Sequence, residues 1–98
     1  MGHAYWIFTK AAMSEEMVAM CLRLGGERIS EPSLMFEFRA PGTPPAPGMP
    51  DVLVSLHPGK IWFSGSGGTA EFTAVLLRRF LDAAIEGSSD GGVRVEEE

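Results

Sequence analysis

The segment from Asp51 to Glu86 constrains the fold of this 98-residue chain more than any other. It holds two short apolar runs separated by Pro58-Gly59, then a glycine-rich turn, then a long amphipathic stretch that stops at Gly87. Pro58 pre-sets φ at the first central position of a type II turn, and Gly59 accepts the positive φ required at the second. Pairing His57 with Lys60 then sets Leu56 against Ile61, Val54 against Phe63 and Val52 against Gly65. These side chains share one face, so turn chemistry and hydrophobic pattern select the same register. A type II turn twists a two-residue hairpin against its strands, which leaves a looser loop as the alternative. The opposite face carries Leu53, Ser55, His57, Lys60, Trp62 and Ser64. A tryptophan and a leucine among small polar groups on an outer face form a candidate partner surface: Leu53, Ser55, His57, Lys60 and Trp62.

The amphipathic stretch reads as a helix from near Thr69 to Glu86. Its polar arc holds Glu71, Arg78, Arg79, Asp82 and Glu86, together with Val75. The remainder, from Phe72 through Leu76, Leu77, Phe80, Leu81 and Ala84 to Ile85, spans more than half the circumference. Packing on a sheet alone needs a narrower stripe. The helix is therefore expected to meet the first helix, the termini or a second molecule as well.

Upstream, His3–Thr9 (HAYWIFT) reads as a strand with Ala4, Trp6 and Phe8 on one side and Tyr5, Ile7 and Thr9 on the other. Both faces are apolar, which predicts a central strand covered on both sides. Ser14 followed by Glu15 and Glu16 is a helix start, and Gly25-Gly26 is its stop. Met13, Met17, Met20, Cys21 and Leu24 form its buried stripe, flanked by Val18 and Leu22; Glu15, Glu16, Ala19 and Arg23 face water. Glu31-Pro32 breaks the chain. Leu34–Ala40 then alternates cleanly, placing Leu34, Phe36, Phe38 and Ala40 inward and Met35, Glu37 and Arg39 outward. Five prolines and two glycines in residues 41–50 make an extended connector, although P-x-x-P pairs there match ligands of proline-binding modules.

The expected fold is thus α+β: a two-layer sandwich with a mostly antiparallel sheet of four or five strands and both helices on one face. The element order is β-α-β-β-β-α, with a final strand at 93–95 as an option. A split βαβ arrangement of ferredoxin type fits if the extra strand sits at an edge. One domain covers residues 1–87, and 88–98 is an acidic tail, because a chain this short has no room for two cores.

Net charge −5 is unevenly placed. More than half of it lies in the last twelve residues, where Arg94 stands against Asp90, Glu96, Glu97 and Glu98. The body is nearly neutral, which argues against both a phosphate-backbone mimic and a nucleic-acid binder. The single cysteine, Cys21, has no disulfide partner, and with only His3 and His57 beside it no zinc spacing exists. Neither a metal nor a cofactor is expected. No apolar run can span a bilayer, and MGHAYWIF lacks the basic head of a signal peptide, so a cytoplasmic location is expected.

Three near-motifs fail at required positions. Gly65-Ser66-Gly67-Gly68-Thr69-Ala70 has the G-x-G-x-x-A form of a dinucleotide fingerprint, but its strand belongs to a hairpin rather than a parallel βαβ unit. As an alternative, Gly65, Ser66, Gly67, Gly68 and Thr69 are a candidate anion loop for phosphate or a nucleotide. A nucleophile elbow at Ser66 fails because Ser64 stands where glycine is needed, and a Ser66–His57 pair has no third group to orient it. The layout of helix, three strands and a helix entered through glycines, over residues 14–86, resembles a double-stranded-RNA-binding domain. That family grips phosphates with lysines at the start of its second helix, where this chain has Ala70, Glu71 and Phe72. With no catalytic residues assigned, the sequence points to a small non-enzymatic protein-binding module, an inhibitor, immunity-type protein or antagonist of a larger protein. Self-association through the 69–86 helix or a sheet edge is a further expectation.

Overall fold

The computed structural model describes residues 3–30, 34–40, 50–65, 70–87 and 93–98. Within them lie strands β1 (His3–Phe8), β2 (Glu27–Ser30), β3 (Leu34–Phe38), β4 (Val52–His57), β5 (Lys60–Gly65) and β6 (Arg94–Glu97). The helices are α1 (Glu15–Arg23) and α2 (Ala70–Glu86). One antiparallel sheet runs β2-β3-β4-β5-β1-β6. Six strands replace the expected four or five. The addition is β2, a charged four-residue segment between Gly26 and Glu31 that carries no hydrophobic alternation and is held by pairing with β3 across a register shift. The last strand, an option at 93–95, runs instead from Arg94 to Glu97, one residue later at its start and two at its end, and pairs with β1.

The β4–β5 hairpin has the register its sequence dictates, from His57 opposite Lys60 to Val52 opposite Gly65. Gly59 sits at φ 77, the conformation a type II turn requires at that position. With all pairs antiparallel, β1 and β4 run parallel with β5 between them, and β5 and β6 run parallel with β1 between them. This is a doubled split βαβ unit with the β2–β3 hairpin added at the β4 edge.

One face of the sheet is the core. Ile7, Ile61 and Leu56 form one transverse row, and Phe63, Val54 and Phe36 form the next, with Val52 and Phe38 beyond. Met17, Met20 and Cys21 of α1 and Leu76, Phe80 and Ala84 of α2 complete the same buried cluster. Phe80 meets Phe38 and Phe63 edge-on, at centroid separations of 6.1 and 5.9 Å. Thr9 Oγ1 donates to Ala84 O at 3.3 Å and accepts from Ala11 N, tying the β1–α1 turn to the end of α2.

Helix α1 has the ends its sequence predicts. Ser14 Oγ accepts from Met17 N at 3.1 Å. At the other end Gly26 N donates to Cys21 O and Gly25 N to Leu22 O, with Gly25 at φ 90, a Schellman motif that needs glycine at the left-handed position. Met13 is corrected to the surface: it precedes the cap, lies outside the helix, and is 46% exposed. Along α2, Leu77, Leu81 and Ala83 pack against the core, whereas Val75 and Ile85 stay exposed. Among the described residues no helix is long and apolar enough to cross a membrane.

Candidate functional site

The expectation that β1 is covered on both sides is overturned. Both helices bury side chains in a single cluster on the Ile7 face, and β1 has a neighbour on each side within the sheet, β5 and β6. Ala4, Trp6 and Phe8 therefore join the outer face of the hairpin, and their apolar character is left for that face to absorb.

The register assembles this face in three transverse rows. The middle row runs Glu96, Trp6, Trp62, Ser55, Met35 across β6, β1, β5, β4 and β3. On one side lies Arg94, Phe8, Lys60, His57. On the other lies Ala4, Ser64, Leu53, Glu37, Glu27, with Glu98 beyond Ala4 through its N–H bond to Ala4 O. One end of the face is thus cationic and bulky and the centre aromatic, while the far end holds Glu98, Glu37 and Glu27, with Arg39 4.0 Å from Glu37, and is small at Ala4 and Ser64.

Specific contacts hold the aromatic groups. Lys60 Nζ stands 4.5 Å from the Trp6 ring centroid, and the Arg94 guanidinium 4.3 Å from that of Phe8. Arg94 also pairs with Glu96 at 3.0 Å. The Trp6 and His57 rings are tilted against each other at 5.8 Å. Trp62 Nε1 donates to Glu98 Oε2 at 2.6 Å, a charge-assisted bond that gives the indole its polar partner. Side chains that no helix covers are in this way held half-buried by one another.

Leu53, Ser55, His57, Lys60 and Trp62, the residues singled out from sequence, all come together here. Sequence reasoning missed Trp6, Phe8, Met35, Arg94 and Glu98. For Trp6 and Phe8 the signal was present in the double-sided apolar pattern of HAYWIF but pointed to burial. His57 Nε2 lies 2.9 Å from Ser55 Oγ. Such a pair invites comparison with a nucleophile and its base. Ser55 is only 4% exposed, however, and no carboxylate orients the imidazole among the described residues, so the bond satisfies a covered hydroxyl.

Gly65 closes β5 against the methyl group of Thr73; Ser66, Gly67, Gly68 and Thr69 of the candidate anion loop lie outside the described residues, as does most of the proline-rich connector. No group of His, Cys, Asp or Glu among the described residues could hold a metal ion. Burial pushes the Cys21 thiol up to about 12, which leaves it neutral and unreactive. An open groove of about 570 Å³ lies between the helices, floored by Met17 and Met20 and rimmed by Lys10, Arg23, Glu16 and Glu86. Its charged lining has both signs, Lys10 and Arg23 with Glu16 and Glu86. Searches against protein-family models, curated proteins and solved structures return no match to this chain.

Proposed function

We propose that this chain is a small non-enzymatic protein-binding module of the cytoplasm, an inhibitor or antagonist that docks on another protein through the outer face of its sheet. The observation that carries this reading is the pairing of Trp6 with Trp62 on the sheet face opposite the one on which α1 and α2 pack. Buried aromatic anchors ringed by polar groups dominate protein interfaces, and here Lys60, His57, Glu98 and Arg94 provide the ring. Both tryptophans are held in place before any partner arrives, so little side-chain entropy is lost on docking.

The test is capture of partners from native lysate with tagged protein, followed by the mass of the recovered complex. Trp62→Ala should retain the far-ultraviolet circular dichroism and urea midpoint of the parent while losing the partner, because the side chain lies outside the core cluster. Unchanged capture by Trp62→Ala would remove the outer face from consideration.

A further inference from the structure

We infer that the partner this face fits is a second copy of the same chain, packed sheet against sheet about a two-fold axis that runs along the row Trp6, Trp62, Ser55, Met35. The inference rests on the protein-binding reading and names its occupant.

The charge pattern selects the axis. Two copies laid face to face can be related by a two-fold axis along the strands or along the transverse rows. The first sets Lys60 and Arg94 over the cationic end of the second copy. The second reverses the strand direction and sets the cationic end over the acidic end, so that Arg94 approaches Glu98 of the second copy, and the reverse contact forms by symmetry. Opposed fields of this kind favour one docking and penalise the other.

Side-chain size agrees with charge. Under the same axis Phe8 of β1 falls over Ala4 of the second copy, and Lys60 of β5 over its Ser64. On β1 and β5 bulky groups thus meet small ones, while on β4 His57 falls over Leu53, and the complementary pairs let two inner faces interdigitate at the ~10 Å spacing of packed sheets. On the axis each residue meets its own copy, so the tryptophans form a shared aromatic centre. Glu96, the one like-charge meeting on that line, sits at the rim and is already paired with Arg94.

The area approaches what a stable interface needs. Five strands of four to six residues, about 4.8 Å apart and rising about 3.3 Å per residue, present roughly 430 Å² in projection. Side-chain relief raises this toward the ~800 Å² per partner of a stable interface. The β6 edge is a poorer candidate: it presents Glu96 and Glu97, and pairing it with its own copy would align like charges.

Sedimentation equilibrium of the full chain tests this across a concentration series. A dimer is expected, with a dissociation constant raised at least about tenfold by Trp62→Ala, since each substitution acts twice across the axis. Ser64→Arg should also dissociate it, by placing bulk and charge beneath Lys60 of the second copy. Arg94→Glu should weaken association and the added Glu98→Arg should restore it. Circular dichroism confirms that each variant is folded. A monomer up to about 100 µM, a concentration at which even weak complexes form, overturns the inference. So does a dimer that ignores Trp62→Ala and Ser64→Arg. A monomer that still captures a different protein through Trp62 would overturn the dimer while leaving the binding module intact; a monomer that captures nothing would overturn both.

Discussion

Gly25 and Gly26 end the same helix and are adjacent in sequence, yet they should respond to substitution in opposite ways. At Gly26 a Cβ would lie 2.8 Å from Cys21 O and 2.8 Å from the Phe38 ring. Carbon pairs are comfortable at about 3.5–4.0 Å, so roughly 0.7–1.2 Å must be found. Neither neighbour can yield it cheaply. Cys21 O is the acceptor of the Schellman bond from Gly26 N, and the Phe38 ring is 1% exposed and braced edge-on by Phe80. Gly26→Ala should therefore cost about 2 kcal/mol, within the ~1–3 kcal/mol of an overpacked core. That is a fall of about 8–16 °C in Tm for a domain of this size. At Gly25 a Cβ would meet nothing within 4 Å, but φ is 90. Gly25→Ala should cost about 1–2 kcal/mol from the left-handed backbone alone. Asparagine distinguishes the two origins: Gly25→Asn should be milder than Gly25→Ala, whereas Gly26→Asn should be worse than Gly26→Ala. In the Gly26→Ala background Phe38→Leu should cost less than it does alone, because it opens the space the methyl group needs. Urea unfolding followed by circular dichroism at 222 nm measures all of these. A neutral Gly26→Ala, or additivity with Phe38→Leu, would refute the close-approach account.

Ser14→Ala removes the side-chain acceptor that caps the start of α1 and should cost about 1 kcal/mol, read as a lower urea midpoint with an unchanged slope. Cys21 should resist thiol reagents at pH 8 in the native state and react at a rate set by unfolding. Its thiol is raised from 9.0 to about 12 by burial. The neutral form is the one the fold holds, so this contribution to stability is complete below pH 9, where the unfolded thiol is still protonated. It is lost progressively as pH rises from about 9 toward 12. Chemical denaturation across that range should show a fall that Cys21→Ala reduces; an identical pH dependence in the variant would contradict the buried, neutral thiol.

What could be read from the chain follows the strength of its local signals. Pro58-Gly59 and the alternation of Val52–Leu56 with Ile61–Gly65 agree on one register, and that register is found. The ends of α1 were legible for the same reason, since Ser14, Gly25 and Gly26 each carry a specific backbone requirement. Strand β2 was not. Glu27–Ser30 carries no β-pattern, and Glu27, Arg28 and Ile29 are exposed, Ile29 at 45%, so the conformation of this segment comes from pairing with β3. The candidate surface was half legible. The hairpin contributes Leu53, Ser55, His57, Lys60 and Trp62 through a local register. Trp6, Arg94 and Glu98 join them only because β1 inserts between β5 and β6, a long-range pairing with no local mark.

The two-sided apolar pattern of β1 is the point at which fold and function separate. A strand in a sheet with one helix layer needs an apolar face on one side only, and Tyr5 and Ile7 supply it by packing in the core. Nothing in folding requires Trp6 opposite Trp62 on the other side, where polar residues would be solvated at no cost. A half-buried tryptophan pair on an outer face is instead a liability for solubility, partly offset by Lys60 over the Trp6 ring and by the Glu98 bond to Trp62. Those contacts shield the rings without removing them, and they leave the indoles oriented by charged groups that can exchange partners across an interface. Replacing Trp6 and Trp62 together with threonine should accordingly abolish association while leaving the urea midpoint nearly unchanged at protein concentrations low enough for the parent to be monomeric. A large loss of stability in the monomer would mean that the pair serves the fold, and the case for a docking face would fall with it.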